Sequence, residues 1–277
     1  MTSAHHTDGF RFEGSLAVIG GGRMGEAIVG GLIASGIIDA RRITVADPSA
    51  ERRADLAERF GVSTVADGAL ALPADVALVA VKPQVIDAVV ATLSSNLEGS
   101  LVISIAAGVS SARLEALLPD GTAVVRVMPN TPALVGEGMS VVSGGTEATA
   151  EQVDLVRALF AAIGDALVLD ERYQDAATAI SGSGPAYFAL VVDALALAGV
   201  RQGLPRDVAQ ALAVQTMRGT AELITGTGVH PAALIDGVSS PGGTTIAALE
   251  ALEARAVRSA FAEAVAANVK RAKELGQ

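Results

Sequence analysis

The residues whose spacing carries the most chemistry are glycines. Gly20-Gly21-Gly22-Arg23-Met24-Gly25 spells G-x-G-x-x-G directly after the apolar run Leu16–Ile19. It precedes Glu26–Ser35, where Ile28, Leu32 and Ile33 fall at helical spacing. Strand, glycine turn and helix in that order make a cradle for a dinucleotide. The first glycine permits the tight turn, the second lets backbone approach a pyrophosphate, and the third lets the helix pack on the strand. The helix N-terminus then offers free N–H groups and partial positive charge to the phosphates. Gly20, Gly21, Gly22, Arg23, Met24 and Gly25 are therefore read as cofactor-binding. A carboxylate is expected about twenty residues further on, accepting from adenosine ribose hydroxyls. Asp47 stands there, at the end of Arg42–Asp47. Ser49, Arg52 and Arg53 follow at once, and a guanidinium can bind a 2′-phosphate. The pattern leaves NADH and NADPH both open.

Further candidates sit where strands end. Ala80-Val81-Lys82-Pro83 closes the run Val76–Val81, and Ala106-Ala107-Gly108 follows Leu101–Ile105. Ligands of open α/β sheets bind outside the carboxyl ends of the strands, and small residues there leave room for a flat ring. Lys82 is either a contact to cofactor hydroxyls or a surface lysine. Two loops rich in Ser, Gly and Pro come later. Ser181–Tyr187 (SGSGPAY) is expected to cap and open a long apolar helix. Ser239–Thr245 (SSPGGTT) puts glycines and two threonines at a helix start, which suits a small carboxylate.

The elements that must position these residues change along the chain. Up to about residue 170, short apolar runs alternate with helical patterns. The runs are Leu16–Ile19, Arg42–Asp47, Val76–Val81, Leu101–Ile105 and Val124–Met128, with Met139–Val142 and Ala166–Leu169 as late strands. Runs apolar on both faces predict parallel strands covered by helices on each side. From about Gln174, Ala- and Leu-rich helices take over: Pro185–Val200, Pro205–Thr225 and Ile246–Glu274, the last breaking near Arg255. The expected organisation is a polar, flexible leader (1–14), a Rossmann-like α/β domain (15–172) and an all-α domain (173–277).

Composition narrows the function. Net charge is −10, which disfavours nucleic acid as a general partner. The chain has no cysteine, so disulfides, thiolate zinc sites and cysteine nucleophiles are excluded. No uninterrupted apolar run reaches the ~18 residues of a spanning helix, and the start lacks a signal-peptide pattern. A cytoplasmic location is expected. His230 is the one histidine beyond the leader, no G-x-S-x-G elbow accompanies it, and no metal-ligand spacing occurs.

Taken together, Gly20–Gly25, Ala80–Pro83, Ala106–Val109, Met128-Pro129-Asn130-Thr131-Pro132, Ser181–Tyr187 and Ser239–Thr245 resemble the motifs of pyrroline-5-carboxylate reductases, in order and spacing. The resemblance runs from about Leu16 to the end. It implies NADPH- or NADH-dependent reduction of L-1-pyrroline-5-carboxylate to L-proline. It also implies a Rossmann-like N-terminal domain and an all-α C-terminal dimerisation domain, in homodimers that often build decamers. By motif, Thr245 would hydrogen-bond the substrate ring nitrogen as the catalytic residue. Ser240, Gly243 and Thr244 would hold the substrate carboxylate, and Glu171 would lie near the substrate. Gly21, Arg23 and Met24 would meet the pyrophosphate, and Val81, Lys82, Pro83 and Ala107 the ribose and nicotinamide. Asp67 and Gly237 stand where relatives carry Asn. A β-hydroxyacid dehydrogenase would need a lysine in the helical part, yet between Lys82 and Lys270 there is none. The remaining alternatives are a dinucleotide sensor without turnover and a reductase of another cyclic imine.

Overall fold

The computed structural model describes residues 10–275. Leu16–Ile19 (β1), Ile43–Ala46 (β2), Ser63–Val65 (β3), Val76–Val79 (β4), Leu101–Ser104 (β5), Val124–Met128 (β6), Gly138–Gly144 (β7) and Gly164–Val168 (β8) form one sheet. Its order is β3-β2-β1-β4-β5-β6-β7-β8. All neighbours are parallel except β6 and β7, which pair antiparallel with Met128 opposite Val141. The first six strands follow the doubly wound order of dinucleotide-binding sheets, whose ligand crevice opens where the order reverses, between β1 and β4.

The strands form because their side chains serve two cores. Every residue of β1, β4 and β5 is buried. Leu16, Val18, Leu78 and Ile103 face a core shared with Ile28, Val29 and Leu32 of helix Arg23–Ala34 (α1). Ala17, Ile19, Ala77, Val79 and Val102 face the opposite core. Period-two alternation sends neighbours to opposite faces, so apolar residues are needed at all these positions but one, buried Ser104, whose Oγ accepts from Ala106 N–H at 3.3 Å. Helix Ala50–Phe60 (α2) is capped by Ser49, whose Oγ accepts from the N–H of Arg52 at 3.2 Å. Ile86–Leu93 (α3) puts Ile86, Val90 and Leu93 into the second core. Ser111–Glu115 (α4) is a short turn, and Ala150–Phe160 (α5) starts on a Thr149/Gln152 capping box.

Three local features differ from the sequence reading. Strand β3 is absent from it, because Ser-Thr-Val is short and only partly buried. The leader ends sooner than expected: Phe10 and Phe12 pack on the first core, and Phe12 N–H donates to Ile37 O at 2.8 Å. Phe10 and Phe12 are thus fastened to the first core and to the loop after α1, while residues 1–9, His5 and His6 included, lie outside the described residues. The third difference is at Thr178–Gly182, expected in part as a loop, which is a π-helical turn following Gln174–Ala177 (α6). Ser181 Oγ donates to Ala177 O at 2.9 Å, so the serine serves the helix in place of interrupting it.

The chain divides into two compact units after Ser183. Residues 171–183 are mostly helical yet tied to the sheet, for buried Gln174 donates through Nε2 to Val141 O at 3.1 Å and Ser143 Oγ at 2.9 Å. The second unit contains Gly184–Arg201 (α7), Arg206–Thr227 (α8), Pro231–Gly237 (α9), Thr244–Glu253 (α10) and most of Val257–Leu275 (α11). The expected break near Arg255 occurs at Ala256, which adopts a positive φ of 53°. Close packing of α7 on α8 uses small residues: a Cβ on Gly199 would stand 2.9 Å from that of Ala209. Large apolar residues remain outside, with Leu190 at 69% and Phe188 at 59% exposed. By length and composition, Glu171–Arg201 also contains an 18-residue window apolar enough for a membrane-crossing helix, at a mean hydropathy of 1.5, although no uninterrupted apolar run has that length.

The entry to β8 depends on glycine. Gly164 has φ +144°, and a Cβ there would lie 1.9 Å from Gly138 O. Both the torsion and the clash oppose a side chain, and the obstacle is backbone. Gly164→Ala should lower unfolding free energy by at least about 2 kcal/mol, seen as a lower urea midpoint. Gly61→Ala, also at positive φ but in open space, should cost roughly 1 kcal/mol.

Candidate active site

The glycine turn after β1 has the shape its sequence implies. Gly20 has φ +110°, and a Cβ on it would stand 2.7 Å from Ala80 O. A Cβ on Gly25 would stand 2.3 Å from Gly20 O. These two positions must be glycine for β1, β4 and α1 to meet. Gly22 differs, since a Cβ there would meet nothing within 4 Å. It opens α1 with no side-chain cap, so the first amides of the helix point outward without a protein partner from that residue. That is the requirement for an anion. Arg23 is exposed beside it, and Met24 is half-buried against the core.

Next to the turn lies a cavity of about 430 Å³, lined among others by Ile19, Ala46, Asp47, Asp67, Val81 and Leu93. It is an apolar slot with carboxylates at its rim, at the ends of β1, β2 and β4. Open amides beside a slot of this kind fit the adenosine and pyrophosphate of a dinucleotide. Asp47 accepts from Gly21 N–H at 3.0 Å and from Ser49 N–H at 2.9 Å. Asp67 Oδ1 accepts from Ala69 N–H at 3.0 Å. Behind the turn, Glu26 pairs with Arg52 and, at 2.5 Å, with Arg59. Burial opposes the charge of Glu26, but hydrogen bonds from Arg52 and Arg59 outweigh it and hold its carboxyl below the usual range.

Val81 lines the cavity, while Lys82 is exposed and precedes a short turn begun by Pro83. Ala107 is exposed at the tip of the loop after β5, where Gly108 takes φ +76°. That loop is anchored by Glu171, expected beside the substrate, and by Arg126, which the sequence reading did not single out. Glu171 accepts from Ser111 N–H at 2.8 Å and also from Ser111 Oγ. It accepts as well from Arg126 at 3.2 Å. The Arg126 side chain is 7% exposed, inside β6, and lies 3.8 Å from Asp175. A charged residue within the apolar run Val-Val-Arg-Val-Met was the available signal, because guanidinium is buried only with partners. Asn130, in the Met128–Pro132 segment, is likewise buried with partners: it donates to Ser181 O at 3.0 Å and accepts from Met139 N–H at 2.9 Å.

In the helical unit, Ser239–Thr245 forms a turn and the first residues of α10. Gly242 has φ +67°, and Gly243 N–H donates to Ser240 O at 2.9 Å. A Cβ on Gly243 would fall 2.2 Å from Ser240 Oγ. Gly243 is the N-cap and supplies no side-chain cap, so the amides after it are open. Thr244 is exposed and Thr245 half-buried.

A doubly wound sheet carrying this glycine turn, followed by a helical unit, defines a dinucleotide-dependent oxidoreductase of Rossmann type. Residues 15–108 match the family model for coenzyme F420-dependent NADP oxidoreductases, and residues 171–275 the model for pyrroline-5-carboxylate reductase dimerisation. A pyrroline-5-carboxylate reductase of Synechocystis is 47% identical over 263 residues, covering 95% of this chain and 98% of that one. One from Corynebacterium melassecola is 46% identical, covering 95% and 99%. The structure of a pyrroline-5-carboxylate reductase from Coxiella burnetii superposes with a TM-score of 0.90 at 37% identity, covering 95% and 99%. The Plasmodium falciparum pyrroline carboxylate reductase with NADP bound superposes at 0.87 and 30% identity, covering 96% and 100%. The chain belongs to the pyrroline-5-carboxylate reductase family.

Two measurements probe the site's framework. Arg126→Ala removes the buried cation between Glu171 and Asp175 and should cost about 3 kcal/mol in denaturant unfolding. Glu26 has a lowered pKa when folded, so its contribution is complete above the unfolded value near ~4.3 and is lost as pH falls through the folded one. The stability gap between the native chain and Glu26→Gln should therefore be flat from about pH 6 to 8 and shrink below about pH 4.

Proposed function

We propose that the protein reduces L-1-pyrroline-5-carboxylate to L-proline with NADPH or NADH, the last step of proline biosynthesis. The observation that carries this reading is the turn Ser240–Gly243 opening α10. It offers the Ser240 hydroxyl and uncapped amides, and no ionisable side chain, to a small anion. That suits a cyclic imine bearing a carboxylate, in a chain similar over nearly its whole length to reductases of that substrate.

When bound, the reduced nicotinamide supplies the hydride that converts the C=N bond to an amine. The chain's part is to hold and orient. Gly20, Gly21, Gly22, Arg23, Met24 and Gly25 take the pyrophosphate, and Asp47 the adenosine ribose. Val81, Lys82, Pro83 and Ala107 take the nicotinamide half. Ser240, Gly243 and Thr244 hold the substrate carboxylate. Thr245 hydrogen-bonds the ring nitrogen through its hydroxyl, whose oxygen accepts from the N–H of the protonated imine and fixes it for attack. A protonated imine is electrophilic enough that no strong enzyme acid is needed, which accounts for a loop without His or Lys. Glu171, expected beside the substrate, works in this reading through Ser111: its oxygens secure the loop that presents Ala107.

The exposed apolar residues of α7 and α8 support burial against a second copy, giving a dimer at least and a decamer as the larger form. The organisation proposed is a Rossmann-like domain over 15–172 and a substrate and dimerisation domain over 173–277, in a cytoplasmic enzyme. Loss of NAD(P)H absorbance with L-1-pyrroline-5-carboxylate is the direct test. Thr245→Ala should lower kcat by roughly a hundred-fold while leaving dinucleotide affinity within about two-fold. Unchanged turnover in that variant would remove Thr245 from its role, and binding without turnover in the native chain would favour a sensor.

A further inference from the structure

We infer that this chain selects NADH over NADPH, with Asp47 as the specificity-determining residue. The inference rests on the dinucleotide reading above and concerns one atom pair of it, the adenosine 2′-oxygen and what faces it.

Asp47 directly follows β2 and lines the slot beside the glycine turn. Two backbone donors fix its orientation: Gly21 N–H on Oδ2 at 3.0 Å and Ser49 N–H on Oδ1 at 2.9 Å. Each carboxylate oxygen accepts more than one hydrogen bond, so each keeps a lone pair for one of two vicinal ribose hydroxyls. The two backbone bonds thus pre-set the carboxylate at no loss of capacity. A 2′-phosphate would bring about two negative charges to the same place. Like charges a few ångström apart repel strongly near a protein surface. Asp67 lines the same slot, and Glu51 lies in the first turn of α2, so the surrounding field adds to the repulsion.

A 2′-phosphate could still be held by a free guanidinium, but of the two candidates Arg52 is engaged through all three nitrogens and Arg53 is held at the turn through Nη1. Arg52 donates through Nε to Gly21 O at 2.5 Å, through Nη1 to Asp55 at 2.8 Å, and through Nη2 to Glu26. All three of its nitrogens have partners, and its side chain is only 25% exposed. Turning it toward a nucleotide would strip those contacts from Glu26 and Asp55. Arg53 donates through Nη1 to Asp47 O at 2.8 Å and to Pro48 O at 3.0 Å. It thereby closes the turn from β2 into α2. Both arginines work as packing and turn residues of α2, and the carboxylate is left to face the ribose.

Isothermal titration of NADH and NADPH against the purified chain reads the preference without relying on turnover, and kcat/KM with each nucleotide reads it again. NADH should bind more tightly by about ten-fold or more. Asp47→Ser should shift the NADH-to-NADPH affinity ratio toward NADPH by at least about ten-fold, whatever it does to the absolute affinities. Arg52→Gln should leave the ratio within about two-fold. Equal or tighter binding of NADPH by the native chain overturns the inference and leaves the reductase reading standing. Selective loss of NADPH binding in Arg52→Gln overturns it as well. Failure to bind either nucleotide overturns the dinucleotide reading itself, and the inference with it.

Discussion

The contact between Gly25 and Gly20 O is the constraint on which the rest of the sheet unit depends. With no Cβ at either position, α1 leaves the tip of β1 without an intervening layer, and Ala80 O of the neighbouring strand lies against the same turn. That approach places the first core directly beneath α1, through Ile28, Val29 and Leu32. It also leaves the first amides of the helix at the mouth of the slot. Stability and ligand capacity therefore come from one geometric fact. A side chain at either glycine would damage both, because the obstructing atoms are backbone and cannot move aside.

Charge is arranged around that turn in two tiers. Glu26, Arg52, Asp55 and Arg59 form a linked set behind it, holding α1 to α2. Asp47 faces forward. The same division recurs across the sheet, where Arg126 is buried with Glu171 and Asp175 while the loop it secures is open. Networks of this kind contribute little by attraction alone, since desolvation offsets much of the Coulombic gain. Their physical role is to permit few alternative arrangements, so the loops they hold present fixed backbone.

Much of this was legible in the chain's residues, and the remainder has identifiable causes. Strands such as Leu16–Ile19 and Val124–Met128 were visible because a doubly covered sheet demands apolar residues on both faces. The glycine turn was visible because its spacing has a single mechanical purpose. Ser63–Val65 was not, being three residues with polar members at the sheet's edge. The π-helical turn Thr178–Gly182 was read partly as a loop because serine and glycine mark breaks more often than continuations. A hydroxyl bonding back to Ala177 O reverses that rule locally. Phe10 and Phe12 were overlooked because polar neighbours obscured two aromatic anchors. Arg52 and Arg53 could not be assigned from sequence at all: an arginine after β2 serves a phosphate or a carboxylate according to what folds beside it, and here Glu26 comes from another helix.

The turn before α10 carries a consequence of its own. Ser240, Gly243, Thr244 and Thr245 offer hydroxyls and amides, groups whose charge is constant across the physiological pH range. A pocket made of fixed dipoles cannot be switched off by losing or gaining a proton. If this turn holds the substrate as proposed, its own part in catalysis does not change with acidity, and the pH dependence it transmits is that of the substrate, set by the fraction of imine that arrives protonated.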